Sequence, residues 1–128
     1  VEAVAAYLRK EVPPGEVLAS VPIVAVEANR AVVPHTEMGQ FSAMGPSDAD
    51  RAKALNLTTL DELIGIVESR EPAAIVKLKG GANWNFQWQS PSLRPQPQEL
   101  FGSFMKSIDE NYARAFESGD LEVLTPRD

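Results

Sequence analysis

The chain contains no cysteine, so disulfide bonds and thiolate metal ligands are both excluded. It has a single histidine, and it has no Gly-x-Ser-x-Gly, His-Glu-x-x-His or other recognisable metal-ligand motif. No apolar run approaches the roughly 18 residues needed to cross a bilayer, and no signal peptide is recognisable. The pattern therefore contains no complete catalytic apparatus, and we expect no catalytic residue, no bound metal and no cofactor.

Basic residues are also in short supply, because 12 lysines and arginines stand against 18 aspartates and glutamates, for a formal net charge of −6. A nucleic-acid binder needs a basic face to displace counterions from phosphate, so we expect no nucleic-acid partner. With 128 residues, of which 44% are hydrophobic, the chain is long enough to bury a hydrophobic core without the help of disulfide bonds or structural metal ions. We predict one domain over residues 1–128.

Helical and extended patterns alternate along the chain. The first helix is predicted to end before Pro13–Pro14–Gly15, and its apolar stripe is Val1, Val4, Leu8 and Val12. Further helices are predicted over about residues 22–29, 47–56, 59–70 and 97–118. Thr59 and Glu62 have the spacing of a capping box, and Gly119 occupies the position of a C-cap glycine. Strands are predicted over residues 16–20, 31–33, 73–78 and 121–125.

Strands that are joined through helices imply parallel pairing and a sheet covered by helices. We therefore predict an α/β domain, namely a small three-layer, Rossmann-like sheet of about four mainly parallel strands with helices on both faces. The last strand is a candidate antiparallel edge. The stripe of the last helix, which includes Phe104, Tyr112 and Phe116, is expected to cover one sheet face.

Ligands of open α/β sheets bind beyond the carboxyl ends of the strands. Here those ends deliver Ser20, the loop with His35 and Glu37, and the segment from Lys79 to Trp84. We predict a binding site made of His35, Glu37, Asn83, Trp84 and Trp88. In such a site Glu37 would orient His35 as a general base. The alternative is that His35 only caps the loop and that Glu37 is solvated or hydrogen-bonds backbone amides.

Three aromatic residues, Trp84, Phe86 and Trp88, alternate with asparagine and glutamine. This arrangement suits a sugar-binding surface, on which aromatic rings stack against pyranose rings and amides bind hydroxyl groups. It equally suits an amphipathic strand with its aromatic residues in the core, or a hydrophobic patch that faces a partner protein.

Three stretches, AVVPHTEMGQFSAMGPSDADRAKALNL (31–57), DELIGIVESREPAAIVKLKG (61–80) and NYARAFESGDLEVLTPR (111–127), carry a resemblance. They resemble the C-terminal hydrophilic segment of bacterial membrane glycosyltransferases of the dolichyl-phosphate-mannose–protein mannosyltransferase-like group, of the GT-C type. The motif of the first stretch is carried by Pro34, Glu37, Met38, Gly39, Phe41 and Ser42. The last stretch is similar to the terminal tyrosine-containing helix and final strand of that family.

The resemblance implies a noncatalytic extramembrane C-terminal domain of an enzyme that takes sugar from a polyprenyl-phosphate donor. The catalytic carboxylates of the family lie in its membrane-embedded portion and first loops, and no residue here matches them. The implied partners are the membrane-embedded part of the parent enzyme and a saccharide or glycan acceptor, and the implied location is the extracytoplasmic face of the membrane. The start at Val1, inside a helical pattern, agrees with a soluble piece of a longer membrane protein.

Two alternatives stay open. The first is a standalone small hydrolase or isomerase that uses His35 and Glu37. The second is a protein-interaction module that presents Trp84, Phe86 and Trp88 to a partner.

Overall fold

A computed structural model of the chain describes residues 1–20, 23–34, 43–44, 50, 53, 58–79 and 97–127. Within these residues the helices are α1 (Glu2–Glu11), α2 (Ile23–Glu27), α3 (Leu60–Ser69) and α4 (Pro97–Asn111). The strands are β1 (Val17–Ala19), β2 (Ala43–Met44), β3 (Thr58–Thr59), β4 (Ala74–Leu78), β5 (Tyr112–Ser118) and β6 (Leu121–Pro126). The protein has an α/β fold, and none of these helices is long and apolar enough to span a membrane.

The four-stranded sheet is mixed and has the order β1-β4-β6-β5. β1 and β4 pair in parallel, whereas β6 pairs antiparallel with both β4 and β5. The prediction of mainly parallel strands is therefore wrong, because β5 and β6 form a hairpin and a hairpin joins antiparallel strands. The last strand is antiparallel as predicted, but it lies inside the sheet and β5 forms the edge. β2 and β3 form a separate parallel pair.

The strand predicted over residues 31–33 is reduced to a single parallel bridge between Val32 and Val17. The backbone N–H of Val17 donates to the carbonyl oxygen of Ala31 at 2.8 Å, and the N–H of Val33 donates to that of Val17 at 3.0 Å. This short segment lies beside β1 on the side away from β4. Pro34 has no N–H with which to extend the ladder.

The helix predicted over residues 97–118 ends at Asn111, and β5 begins at the next residue. Phe104 is buried, as the helical stripe predicted, and Tyr112 is also buried but belongs to the strand. Gly119 is not a helix C-cap. Its φ of +59° lies in the tight turn between β5 and β6, where a residue without Cβ adopts the left-handed conformation at low cost.

The predicted helices α1 and α3 are confirmed, with two corrections. Val1 is 52% exposed, so the buried stripe of α1 begins at Val4. The capping box of α3 does not form, because the Thr59 side chain makes no cap hydrogen bond. Instead, the hydroxyl of Thr58 donates to Oε2 of Glu62 at 3.2 Å.

Two hydrophobic clusters occupy opposite sides of the sheet. The first cluster packs α3 and α4 on the strands through Leu18, Val33, Leu63, Val67, Ile75, Phe104, Ile108, Tyr112 and Leu124. The second cluster packs α1 and α2 on the strands through Val4, Ala5, Leu8, Val12, Val17, Ala19, Val24, Ala25, Ala28, Ala74, Val76 and Val123. Successive strand residues such as Ile75 and Val76 belong to different clusters, because side chains alternate between the two faces.

Candidate functional site

The carboxyl ends of the parallel strands β1 and β4 lie side by side. The N–H of Ser20 donates to the carbonyl oxygen of Val76 at 3.0 Å, so the ladder continues one residue past β1 and sets Ser20 beside Lys77. Ser20 lies two residues after Leu18, and Lys77 two residues after Ile75. Both therefore lie on the sheet face that carries the first cluster.

Ser20 is 5% exposed, and its hydroxyl has no hydrogen-bond partner among the described residues. Buried hydroxyl groups are almost always hydrogen-bonded, because leaving one unpaired costs about 1–3 kcal/mol. A polar group, from the chain or from a ligand, is therefore expected to meet Ser20 at this edge.

Lys77 forms a buried ion pair with Glu122, which lies opposite it in the ladder between β4 and β6. Its Nζ is 2.9 Å from Oε1 of Glu122, and the two side chains are 8% and 12% exposed. Each charge needs the other, because a single charge left unpaired at such a position is strongly destabilising. The pair continues the polar row that Ser20 begins.

The row extends across β5 through Arg114. Its Nη1 lies 3.5 Å from Oε2 of Glu122 and 3.4 Å from Oε2 of Glu117. Lys79 Nζ lies 3.1 Å from that same oxygen of Glu117. Together with Lys77, these residues form what we call the ion-pair network. It holds three cations and two carboxylates, and so it carries a surplus positive charge in a chain whose net charge is −6.

The hydrogen bond and charge of Lys79, together with the charge of Arg114, hold the pKa of Glu117 below its usual value. A hydrogen bond and nearby cations favour the ionised carboxylate. Glu117 is therefore charged at neutral pH.

The residues that the sequence predicted for binding, His35, Glu37, Asn83, Trp84 and Trp88, lie outside the described residues. In the chain, the aromatic segment follows β4 and the histidine loop follows the Val32 bridge.

Sequence reasoning missed the ion-pair network. Lys77 stands inside the apolar run AIVKL, where a lysine gives no sign of its partner. Glu122 occupies a polar position in the alternating run LEVLT, which is a signal for a half-polar strand face. Joining the two required the strand order, since they are 45 residues apart in the chain.

A second feature, an open cleft of about 1010 Å³, lies at the opposite end of β1, where α1 ends and residues 13–16 and 28–31 meet. Arg30 dominates it, and its guanidinium donates to the carbonyl oxygens of Leu8, Val12, Pro13 and Gly15. These bonds satisfy the end of α1 and the turn that follows it. The guanidinium of Arg30 therefore has a structural role, which is to hold these backbone carbonyl groups together. Across the described part of the chain, no group of three or more His, Cys, Asp or Glu residues is placed to hold a metal ion.

Comparison of the chain with protein-family models, with curated proteins and with solved structures found no significant match. The chemical groups described at the carboxyl ends of β1 and β4 are the Ser20 hydroxyl and the ion-pair network.

Proposed function

We propose that the chain is a noncatalytic extramembrane C-terminal domain of a polyprenyl-phosphate-sugar-dependent membrane glycosyltransferase. In this proposal the domain helps to bind a saccharide or glycan acceptor at the carboxyl ends of β1 and β4 and packs against the membrane-embedded part of its parent enzyme. The sequence resemblance supports the family and the extracytoplasmic location. The observation that carries the binding role is the buried Ser20 hydroxyl, which has no described partner at the edge where β4 leads into the aromatic segment.

The described charged groups at this edge suit binding better than proton transfer. A protonated lysine that is paired with a carboxylate offers only N–H donors and has no lone pair to act as a base. Lys77 is paired with Glu122, and Glu117 is shared between Lys79 and Arg114. Donors and carboxylates held in place are the groups with which proteins bind hydroxyl-rich ligands.

The proposal includes a three-layer, Rossmann-like arrangement of the domain. Two observations support it. First, the helices divide between two clusters on opposite sides of the strands. Second, β1 pairs in parallel with β4 on one side and with the Val32 bridge on the other, and these are the only described parallel neighbours in the larger sheet. The chain joins them through helices. Ligand binding at the carboxyl ends of such strands follows the general rule for open α/β sheets.

Tryptophan fluorescence tests the binding role selectively, because both tryptophans, Trp84 and Trp88, belong to the segment that follows β4. We expect a saturable change in emission when neutral manno- and gluco-oligosaccharides are added at millimolar concentrations. Trp88→Phe should reduce the response, whereas Tyr7→Phe, which keeps both tryptophans, should retain it. Glycerol at equal concentration serves as the control for viscosity and refractive index.

An unchanged spectrum at millimolar saccharide would contradict acceptor binding. Concentration-dependent self-association in sedimentation that disappears in Trp88→Ala would instead favour the protein-interaction alternative. The membrane context is tested separately by the reading frame upstream of Val1. Several apolar segments of about 20 residues are expected there, and a start codon directly before Val1 would contradict the parent-enzyme proposal.

A further inference from the structure

The buried end of the ion-pair network offers hydrogen-bond donors in excess of acceptors. Lys77 has one described carboxylate neighbour, Glu122, for the several donors of its ammonium group. The hydroxyl of Ser20, beside it in register, has no described partner at all. Both residues are more than nine-tenths buried, so that each unmet donor would be costly.

The charge balance at this position favours an anion. The negative charge of Glu122 is not available to Lys77 only, because Oε2 of Glu122 lies 3.5 Å from Nη1 of Arg114. One carboxylate is thus shared between two cations. An approaching anion also meets Glu117, but that carboxylate lies on β5, three strands from Ser20, and is itself held by Lys79 and Arg114.

We propose that Ser20 and Lys77 form the floor of an oxyanion-binding site that takes a phosphate or carboxylate group of a small ligand. The hydroxyl of Ser20 and the ammonium of Lys77 donate to the oxyanion, and Glu122 keeps the ammonium in place. The site lies at the carboxyl ends of two adjacent parallel strands, the position at which open α/β sheets bind ligands. Both donors are largely shielded from water, so an anion bound to them is held in a low-dielectric setting.

This site uses the same Ser20 hydroxyl as the proposed saccharide surface, but it takes an anionic group in place of a neutral sugar. The test therefore uses inorganic phosphate and acetate as separate probes, at constant ionic strength maintained with chloride. Thermal unfolding and the amide chemical shifts of Ser20 and Lys77 are the readouts, so that the tryptophans are not involved. We expect a saturable rise in Tm, with shifts at both amides, for phosphate, for acetate or for both. The probe that acts identifies the class of oxyanion.

Ser20→Ala distinguishes a ligand group from a structural one. If the hydroxyl serves a ligand, this variant should keep or raise the Tm measured without anion, because an unpaired buried hydroxyl is removed. The anion affinity should fall roughly three- to tenfold, the value of one hydrogen bond. Lys77→Gln should abolish the response, and Lys106→Gln is the matched control because it removes a lysine of the exposed pair on α4 and should leave the response intact.

Two outcomes would overturn the proposal. One is the absence of any saturable response to either anion. The other is a Ser20→Ala variant that melts earlier without anion yet responds to anions like the wild type, because Ser20 would then serve the chain itself. A response to anions together with an unchanged tryptophan spectrum on saccharide addition would support this site and contradict acceptor binding.

Discussion

The hydroxyl of Tyr112 donates a hydrogen bond to the carbonyl oxygen of Pro72 over 2.8 Å. Tyr112 is the first residue of β5 and is fully buried in the first cluster, and Pro72 lies just before β4. The bond therefore ties the C-terminal hairpin to the segment that enters the centre of the sheet. Burial raises the pKa of Tyr112 to about 12, and the charge of Arg70 opposes the rise only in part.

Tyr112 should make the protein sensitive to alkali. Below the unfolded-state pKa of about 10, both states hold the phenolic proton and its contribution to stability is complete. As the pH rises from 10 through 12, the unfolded chain ionises before the folded one, and the free energy of unfolding falls by up to about 2–3 kcal/mol. Urea denaturation at a series of pH values should show this loss in the wild type and in Tyr7→Phe, but not in Tyr112→Phe. Parallel curves for all three proteins would contradict the assignment.

Phe104 should be among the most costly residues to truncate. It is fully buried between α4 and the sheet, in the first cluster. Phe104→Ala removes most of a buried ring and leaves a cavity, for which the usual cost is about 3–5 kcal/mol. Chemical denaturation measures the difference, and Ser103→Ala, at the exposed neighbouring position, should change stability by less than about 0.5 kcal/mol. A near-wild-type Phe104→Ala would show that α4 does not pack as described.

Substitutions of Lys77 and Glu122 should have non-additive effects on the free energy of unfolding. Lys77→Met leaves the 12%-exposed Glu122 with only the longer contact to Arg114, and we expect a loss of about 2–4 kcal/mol. The double variant Lys77→Met/Glu122→Leu should recover most of that loss, since no unpaired charge remains buried. A double-mutant cycle measured by denaturation provides the coupling energy. Additive losses would show that the two charges do not interact.

Substitution by alanine should raise the stability of the protein at one glycine and lower it at two others. Gly102 lies on α4 with open space around it, so Gly102→Ala should stabilise the protein by up to about 1 kcal/mol. Gly119→Ala should cost about 1 kcal/mol, because its φ is +59°. Gly15→Ala should cost more than that, because its φ is +154° and the added Cβ would lie 2.9 Å from Cβ of Ala73. Melting temperatures of the three variants test this order, and a stabilised Gly15→Ala would contradict the turn as described.

The sequence predicted those elements whose residues interact locally. The stripe of α3, the apolar strand β4 between Pro72 and Gly80, and α1 ahead of two prolines are all specified by neighbours along the chain. The sequence predicts helix over the residues of β5 because Ile108, Tyr112 and Phe116 follow one another at intervals of four. In the structure that interval arises differently, because a bulge at Ala115 reverses the alternation of β5. Tyr112 consequently packs in the first cluster, and Phe116 stacks on Tyr7 against the second.

The predicted site residues lie outside the described part of the chain, so the comparison concerns only the strand ends beside them. The rule that ligands bind at the carboxyl ends of parallel strands pointed to Ser20 and Lys79 from the strand pattern alone. Their neighbours Glu122 and Arg114 come from the hairpin, and only the strand order brings them beside Lys77. Long-range pairing of this kind leaves no local pattern, so no reading of the residues one after another reveals it.

The order β1-β4-β6-β5 also has a consequence for how the chain assembles during synthesis. β4 has β1 on one side as soon as both have left the ribosome, but its other side stays open until β6, near residue 126, has emerged. Until then Ile75 and Val76 lack the strand that completes both clusters, and a row of backbone donors and acceptors stays unpaired. The nascent chain therefore passes through a state with an exposed, apolar strand edge. Its escape from aggregation depends on how fast β5 and β6 form their hairpin, an event that takes about 1–10 μs for a hairpin in isolation.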